Sequence, residues 1–308
     1  MKIDRRQFFV LSSGVLTALP AARLLGRAQT PAAAPTWTPV FTPVRRNVNV
    51  FSGRGGTIGY LSNKDALIVV DTQYPDSAKA CLEGLRQRAG RTVDLVFNTH
   101  HHLDHTSGNG VFRAVAKRII AQAGVPGLQK QVASQNPSAE PPVVADATFV
   151  TAWGEHAGGE TITARYYGPG HTGADAIIHF EKADVVHMGD LLFLERHPRV
   201  DRPAGASIQN WMRTLETISQ DMPAKTTYIA GHAKQGAPVT ADRAALRNFR
   251  NYFEAVLTLV RKGIADGQSK DTIAAMPLPG FEGYQSSPPA LTLAAVLGVA
   301  YDELTAKS

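Results

Sequence analysis

The sequence predicts an α/β fold in which helices cover sheets, and three observations carry that reading. Residues 66–71, Ala-Leu-Ile-Val-Val-Asp, are a continuous apolar run of the kind a strand covered on both faces requires. Within 77–88, Ala78, Cys81, Leu82 and Leu85 recur at helical spacing and build one apolar face. Strand-like and helical stretches then keep alternating along the chain, the pattern of sheets packed under helices.

The elements follow in order. Residues 48–51 and 57–61 read as strands around the Gly-rich stretch Ser52 to Gly56, a hairpin or mobile loop. The buried strand at 66–71 and the helix at 77–88 come next, with Cys81 a small core residue on the apolar helix face. The strand at 93–98 runs directly into a histidine cluster. Short strands are expected at 118–121, 161–167, 176–180, 185–188 and 227–230, and helices at 207–219 and 241–262. Residues 47–262 are therefore read as one domain, and 263–308, with Pro-rich breaks and a helix at 291–304, as a helical C-terminal extension.

Residues 1–28 read as an address. Arg5-Arg6 precede a short apolar run from Val10 to Leu25, and the small-residue site Gly26-Arg27-Ala28 follows. That order resembles a twin-arginine signal, which implies the twin-arginine export machinery as a partner and a periplasmic or secreted location. The run is too short and too rich in Ser, Gly and Thr for a stable membrane anchor across ~30 Å of hydrocarbon. Residues 29–46, with prolines at 31, 35, 39 and 43, read as a Pro/Ala-rich linker.

Composition narrows the function. The chain has 308 residues, 44% apolar and 19% charged, which excludes disordered and collagenous classes. The single cysteine excludes an intrachain disulfide and any multi-cysteine zinc site, so a metal here must be held by His and carboxylates. Of the net charge of +6, residues 1–28 carry +4, which leaves no basic stripe for nucleic acid. A small-molecule substrate is expected instead.

Thr99 is followed by His100-His101-His102-Leu103-Asp104-His105, four imidazoles and a carboxylate within six residues. In an extended chain His100 and His102 point to one side and His101 to the other, so the first two can share one metal. Asp104 and His105, past the turn, reach a second. Imidazole nitrogen and carboxylate oxygen suit borderline cations such as zinc. Three more strand-like runs end in glycine beside one such donor: Gly168-Pro-Gly-His171, His187-Met-Gly-Asp190 and Ala230-Gly-His232.

Asp71, the His100–His105 run, Gly-His171, Gly-Asp190 and Gly-His232, in this order, make the chain resemble the metallo-β-lactamase superfamily over roughly residues 47–260. The resemblance implies a four-layer αβ/βα sandwich with metals at one edge. It implies that His100, His102 and His171 hold one ion, that Asp104, His105 and His232 hold a second, and that Asp190 bridges them. Two divalent ions are then expected as cofactors, zinc first, with iron or manganese as alternatives. A bridging hydroxide would attack an ester, thioester, lactone or phosphodiester-type bond, and Asp104 would orient it or pass a proton. Asp71 is expected to brace a ligand loop.

Other residues carry weaker expectations. His101 stands at the motif's variable position, as a proton shuttle, substrate contact or plain core residue. Arg199, in the charged loop 195–203, would clamp an anionic substrate group or simply face solvent. Trp153 and Gly53–Gly56 are candidates for a pocket rim. His156, His179 and His197 are read as structural, and His187, close to the Gly189-Asp190 turn, as structural or as a residue supporting a ligand from behind. The superfamily's true β-lactamases usually carry Cys or Ser where Asp190 stands, so a β-lactam hydrolase is the second reading. Iron-dependent persulfide chemistry on the same fold and a non-catalytic metal-binding protein are the readings from other classes.

Overall fold

The computed structural model describes residues 37–306 except 137 and 139. The expected leader and residues 29–36 of the expected linker lie outside these residues. Strands β1 (Val40–Arg45), β2 (Val48–Ser52), β3 (Ile58–Ser62) and β4 (Leu67–Val70) form an antiparallel meander. Helix α1 (Pro75–Ala89) returns the chain so that β5 (Val93–Asn98) lies parallel to β4. After the short helices α2 (Leu103–Thr106) and α3 (Asn109–Arg113), β6 (Ala116–Gln122) lies parallel to β5. Helix α4 (Val125–Ser134) precedes β7 (Ala147–Phe149), which completes a seven-stranded sheet.

The second sheet begins with the antiparallel strands β8 (Ala152–Ala157), β9 (Glu160–Tyr166), β10 (Ala176–Phe180) and β11 (Val185–His187). The two-residue β12 (Phe193–Leu194) follows, and α5 (Ile208–Asp221) carries the chain to β13 (Thr227–Ile229), parallel to β11. β14 (His232–Ala233) pairs with β12, and β15 (Thr240–Ala241) pairs antiparallel with β13. Helices α6 (Arg243–Ala265), α7 (Lys270–Ala274) and α8 (Leu293–Thr305) end the described chain.

Strand alternation sorts most of the buried apolar residues into three cores. In β4, Ile68 and Val70 enter a core between the sheets, where they meet Ile162, Ile178 and Phe180 of the second sheet. Leu67 and Val69 point the other way, onto Ala78, Cys81 and Leu85 of α1. On the far side, Ile177 and Val186 meet Trp211 and Leu215 of α5 and Phe249 and Phe253 of α6. Helix, sheet, sheet, helix is the expected four-layer sandwich. The order follows from period-2 strands buried on both faces and helices apolar on one.

The chain from Trp37 to Arg46 departs from the linker expectation. Residues 40–45 form the edge strand β1, and Phe41 lies 4.8 Å from the Phe51 ring and 3.9 Å beneath the Arg88 guanidinium. Proline content marked the stretch as linker, but Pro sits comfortably on an edge strand, where one missing N–H costs no ladder bond. At the other end the helices of 263–308 are core: Val296, Leu297 and Ala300 of α8 join the cluster of Trp211 and Phe253. The expected boundary at 262 falls inside α6. His197 is buried on the Tyr252 hydroxyl, His179 is half-buried in β10, and His156 is exposed in β8.

Candidate active site

The candidate donors collect where strands of both sheets end. Asp71 directly follows β4 with a left-handed backbone (φ 65°), and its carboxylate is fully buried. It accepts three hydrogen bonds: from Thr99 N and Oγ1, each 2.8 Å, and from His105 Nδ1 at 2.7 Å. This carboxylate ties the end of β4 to both ends of the histidine run. His102, extended, opens the single turn α2, which swings Asp104 and His105 away from His100 and His102.

The second sheet supplies the rest. Asp175 accepts from Gly170 N (3.2 Å), Thr172 N (2.8 Å) and Thr172 Oγ1 (2.6 Å), and so shapes the loop that presents His171. Burial raises the Asp175 carboxyl to about 6 against the pull of those donors. At the end of β11, His187 bridges Thr57 O (3.1 Å) and Gly189 N (3.2 Å) and sets the turn before Asp190. Gly189 has φ 52°, and a Cβ there would meet Thr99 at 2.6 Å. After β13, Gly231 lies so close to Asp190 Oδ1 that a side chain would displace it, and Gly231 N donates to Gly189 O at 2.8 Å.

Two sets of donors result. In the first, His102 Nδ1 lies 3.1 Å from His100 Nε2 and 2.8 Å from His171 Nε2, with Asp190 Oδ2 3.3 Å from His171 Nε2. In the second, His232 Nε2 lies 3.1 Å from Asp104 Oδ2 and 3.4 Å from His105 Nε2. Asp190 faces both: Oδ1 is 3.0 Å from His105 Nε2, and Oδ2 is 3.5 Å from His232 Nε2. All seven expected donors therefore meet, in the expected grouping.

The hydrogen bonds test whether these residues fit metal ions. His171 Nδ1 donates to Arg199 O (2.8 Å), and His102 Nε2 donates to Asp201 Oδ2 (2.7 Å). His100 Nδ1 faces Thr99 Oγ1 (3.1 Å), a hydroxyl whose own proton goes to Asp71. Each proton thus sits on the outer nitrogen, and three bare lone pairs converge on one point. Among the described residues, buried Asp190 Oδ1 also has no hydrogen-bond partner. Converging lone pairs repel unless a cation lies among them, and their spacing suits the ~3.3 Å edges of a tetrahedron with ~2.0–2.1 Å zinc–nitrogen bonds.

Electrostatics agrees. Burial holds His171 down at about 3 and His100 well below its ordinary value, which leaves the neutral, ligating imidazole. In the second set burial acts the same way, but Asp190 and Asp104 outweigh it and lift His232 to about 9 and His105 well above its usual range. That excess of buried negative charge is what a dication would answer.

The weaker expectations divide. The Gly53–Gly56 loop does line a cleft of about 260 Å³ that includes His232, Arg196 and Lys234. Trp153 lines no part of that cleft: it lies in edge strand β8, packs on the core between the sheets and carries Arg118 5.6 Å from its ring. Half-buried aromatics serve sheet faces as readily as pocket rims. Arg199 is at the site: its carbonyl holds His171, and its guanidinium, on an exposed side chain, lies 3.1 Å from Asp201. His101 is buried beside His102 and belongs to neither set. Asp201 and Asp175 were missed as site residues because neither belongs to a donor motif.

Comparison with known proteins agrees with this geometry. The family model described as the metallo-beta-lactamase superfamily matches residues 52–232, more than half of the chain. The hydroxyacylglutathione hydrolase of Rhodospirillum rubrum is 28% identical over 172 residues, 54% of this chain and 57% of that protein. The match thus spans less than two thirds of that relative. The Brucella ovis protein of the same name is 23% identical over 221 residues, 66% of this chain and 74% of its own. Among solved structures, a metallo-beta-lactamase from Pontibacter korlensis superposes with a TM-score of 0.58 at 17% identity, over 70% of this chain and 99% of that one. A double mutant of the sec-alkyl sulfatase PisA1 gives 0.66 at 14% identity, over 87% of this chain and 50% of that one. With its two sheets closing on a His/Asp edge and the family model spanning every donor from His100 to His232, the chain belongs to the metallo-beta-lactamase superfamily of metallo-hydrolases.

Proposed function

We propose that the protein is a hydrolase using two divalent ions, zinc first, to cleave an acyl bond of a small molecule, with a thioester as the leading class. One observation carries the two-ion reading: Asp190 presents its two carboxylate oxygens to both histidine sets, Oδ1 at 3.0 Å from His105 Nε2 and Oδ2 at 3.3 Å from His171 Nε2. The thioester choice is supported by the curated relatives, named hydroxyacylglutathione hydrolases. When bound, such ions activate water and polarise the oxygen of the scissile bond.

The chain's own residues supply the rest. His100, His102 and His171 would hold the first ion, Asp104, His105 and His232 the second, and Asp190 both. Asp104 is the most exposed carboxylate of the cluster, its side chain 26% accessible against 5% for Asp190. Oδ2 of Asp104 faces His232 in the second set, so its other oxygen would take a proton from water and deliver it to the leaving group. The glycines at 53, 55 and 56 let a substrate approach His232 along bare backbone. A leader at 1–28 would place this activity in the periplasm or outside the cell.

The test loads the protein with zinc and assays an acyl thioester, a lactone, a phosphodiester and a cephalosporin in parallel, with His102→Ala as the blank. Thioester turnover that vanishes in His102→Ala is expected. Turnover confined to the cephalosporin would instead establish a β-lactamase, and binding of fewer than two zinc ions per chain would sink the two-ion reading.

A further inference from the structure

Asp201 stands in no motif, and its contacts are those of a residue that sets the face His102 presents. Its Oδ2 lies 2.7 Å from His102 Nε2, 3.1 Å from Arg199 Nη2 and 3.8 Å from His101 Nε2. Its side chain is 8% accessible. The same three-residue stretch grips His171 from two sides: Arg199 O accepts from His171 Nδ1 (2.8 Å), and Asp201 N donates to His171 O (3.1 Å). Backbone bonds from Ala204 N (3.0 Å) and Ala206 N (3.1 Å) to Asp201 O hold the stretch itself.

We infer that Asp201 is a positioning residue for the first ion, holding His102 with its proton on Nε2 and its bare Nδ1 turned to His100 and His171. The inference rests on the two-ion reading proposed above. Its physical basis is the ring's near symmetry: a half-turn about Cβ–Cγ leaves the imidazole's outline almost unchanged but puts Cδ2 where Nδ1 stood. Packing barely distinguishes the two poses, whereas a carboxylate at 2.7 Å from Nε2 does, because only one of them offers it an N–H. Arg199 fixes Asp201 in turn with a second charged hydrogen bond to the same oxygen.

Another occupant was open to these residues. His101, His102 and Asp201 are close enough to hold an ion of their own. Oδ2 of Asp201, however, already takes protons from His102 and Arg199, and a dication would sit against the Arg199 guanidinium. The brace is what the hydrogen bonds describe. The two ions are then served alike: Asp71 backs His105 at 2.7 Å in the second set as Asp201 backs His102 in the first.

The experiment has two arms on the full chain. In the first, two-bond proton–nitrogen spectra of the zinc-free protein report the His102 tautomer. The parent should show protonated Nε2 and bare Nδ1, Asp201→Ala should lose that state, and Asp201→Asn, whose amide oxygen can still accept the bond, should recover it. In the second, zinc affinity is measured by chelator competition with one ion disabled, by His232→Ala or by His171→Ala. Asp201→Ala should weaken the remaining zinc about 10–100-fold in the His232→Ala chain and leave it unchanged in the His171→Ala chain. An unaltered tautomer in Asp201→Ala, or equal weakening in both chains, would overturn the assignment. If the parent holds fewer than two zinc ions, the two-ion reading fails, while the tautomer arm still judges Asp201.

Discussion

Single carboxylates do distinct work at this edge because their surroundings differ. Asp71 gathers three donors while fully buried, so Asp71→Ala strands Thr99 N and Oγ1 and unhooks His105. A loss of about 3–5 kcal/mol is expected in urea unfolding of the zinc-free protein, with weaker zinc binding at the second set. Asp175 behaves oppositely. Burial raises its folded value to about 6, so the protonated form is the one the fold prefers. Stability it contributes is full below the unfolded value of ~3.9 and is lost as pH rises through about 6. Asp175→Asn should therefore gain about 2–3 kcal/mol on the parent between pH 4 and pH 7, and a pH-independent difference would refute the burial argument. Sequence reading found the seven donors because each sits in a dense His/Asp run or beside a turn glycine. Asp201 and Asp175 were invisible to it, since their meaning lies in partners 99 residues away and in burial, neither of which local pattern records.

At the scale of elements, period-2 and 3.6 patterns were legible wherever an element is buried on a long face, as in β4, β5, α5 and α6. They failed for β1 and β8, edge strands without one fully buried position, and for α4, whose apolar stripe is short. Nor did pattern reveal how the last helix serves the site. Glu303 of α8 accepts from Ser207 Oγ (2.9 Å), Ile208 N (2.8 Å) and Gln209 N (3.2 Å), a carboxylate at the N-terminus of α5. Ser207 N in turn donates to Gly170 O, next to His171. Glu303→Ala is expected to cost about 1–2 kcal/mol in urea unfolding, and an unchanged midpoint would show the cap to be idle. Residues 285–287 of the extension also reach the cleft, where Gln285 Oε1 accepts from Gln235 N (2.7 Å) and Arg196 donates to Ser287 Oγ (3.1 Å).

For the whole molecule, the two sheets meet twice, through the apolar core between them and through the His/Asp edge, and these junctions differ in kind. The core is closed by aliphatic burial from Val48 to Ile229 and needs nothing further. In the first set the edge brings bare imidazole nitrogens within 2.8–3.1 Å, and Asp190 Oδ1 has no hydrogen-bond partner among the described residues, so without ions that set stores repulsion. Removing the metal should therefore loosen the edge and spare the core. Binding to the folded state alone adds about 4 kcal/mol at a thousandfold excess over the dissociation constant, and chelation withdraws that amount from global stability. Hydrogen exchange gives the finer reading. In chelated protein, amides of 99–106, 170–173, 189–191 and 230–232 should exchange faster, while those of β3, β4 and α6 keep their order of protection. Uniform acceleration across both sheets would mean that the ions hold the fold as a whole, and no change at the edge would mean that the seven donors are satisfied without them.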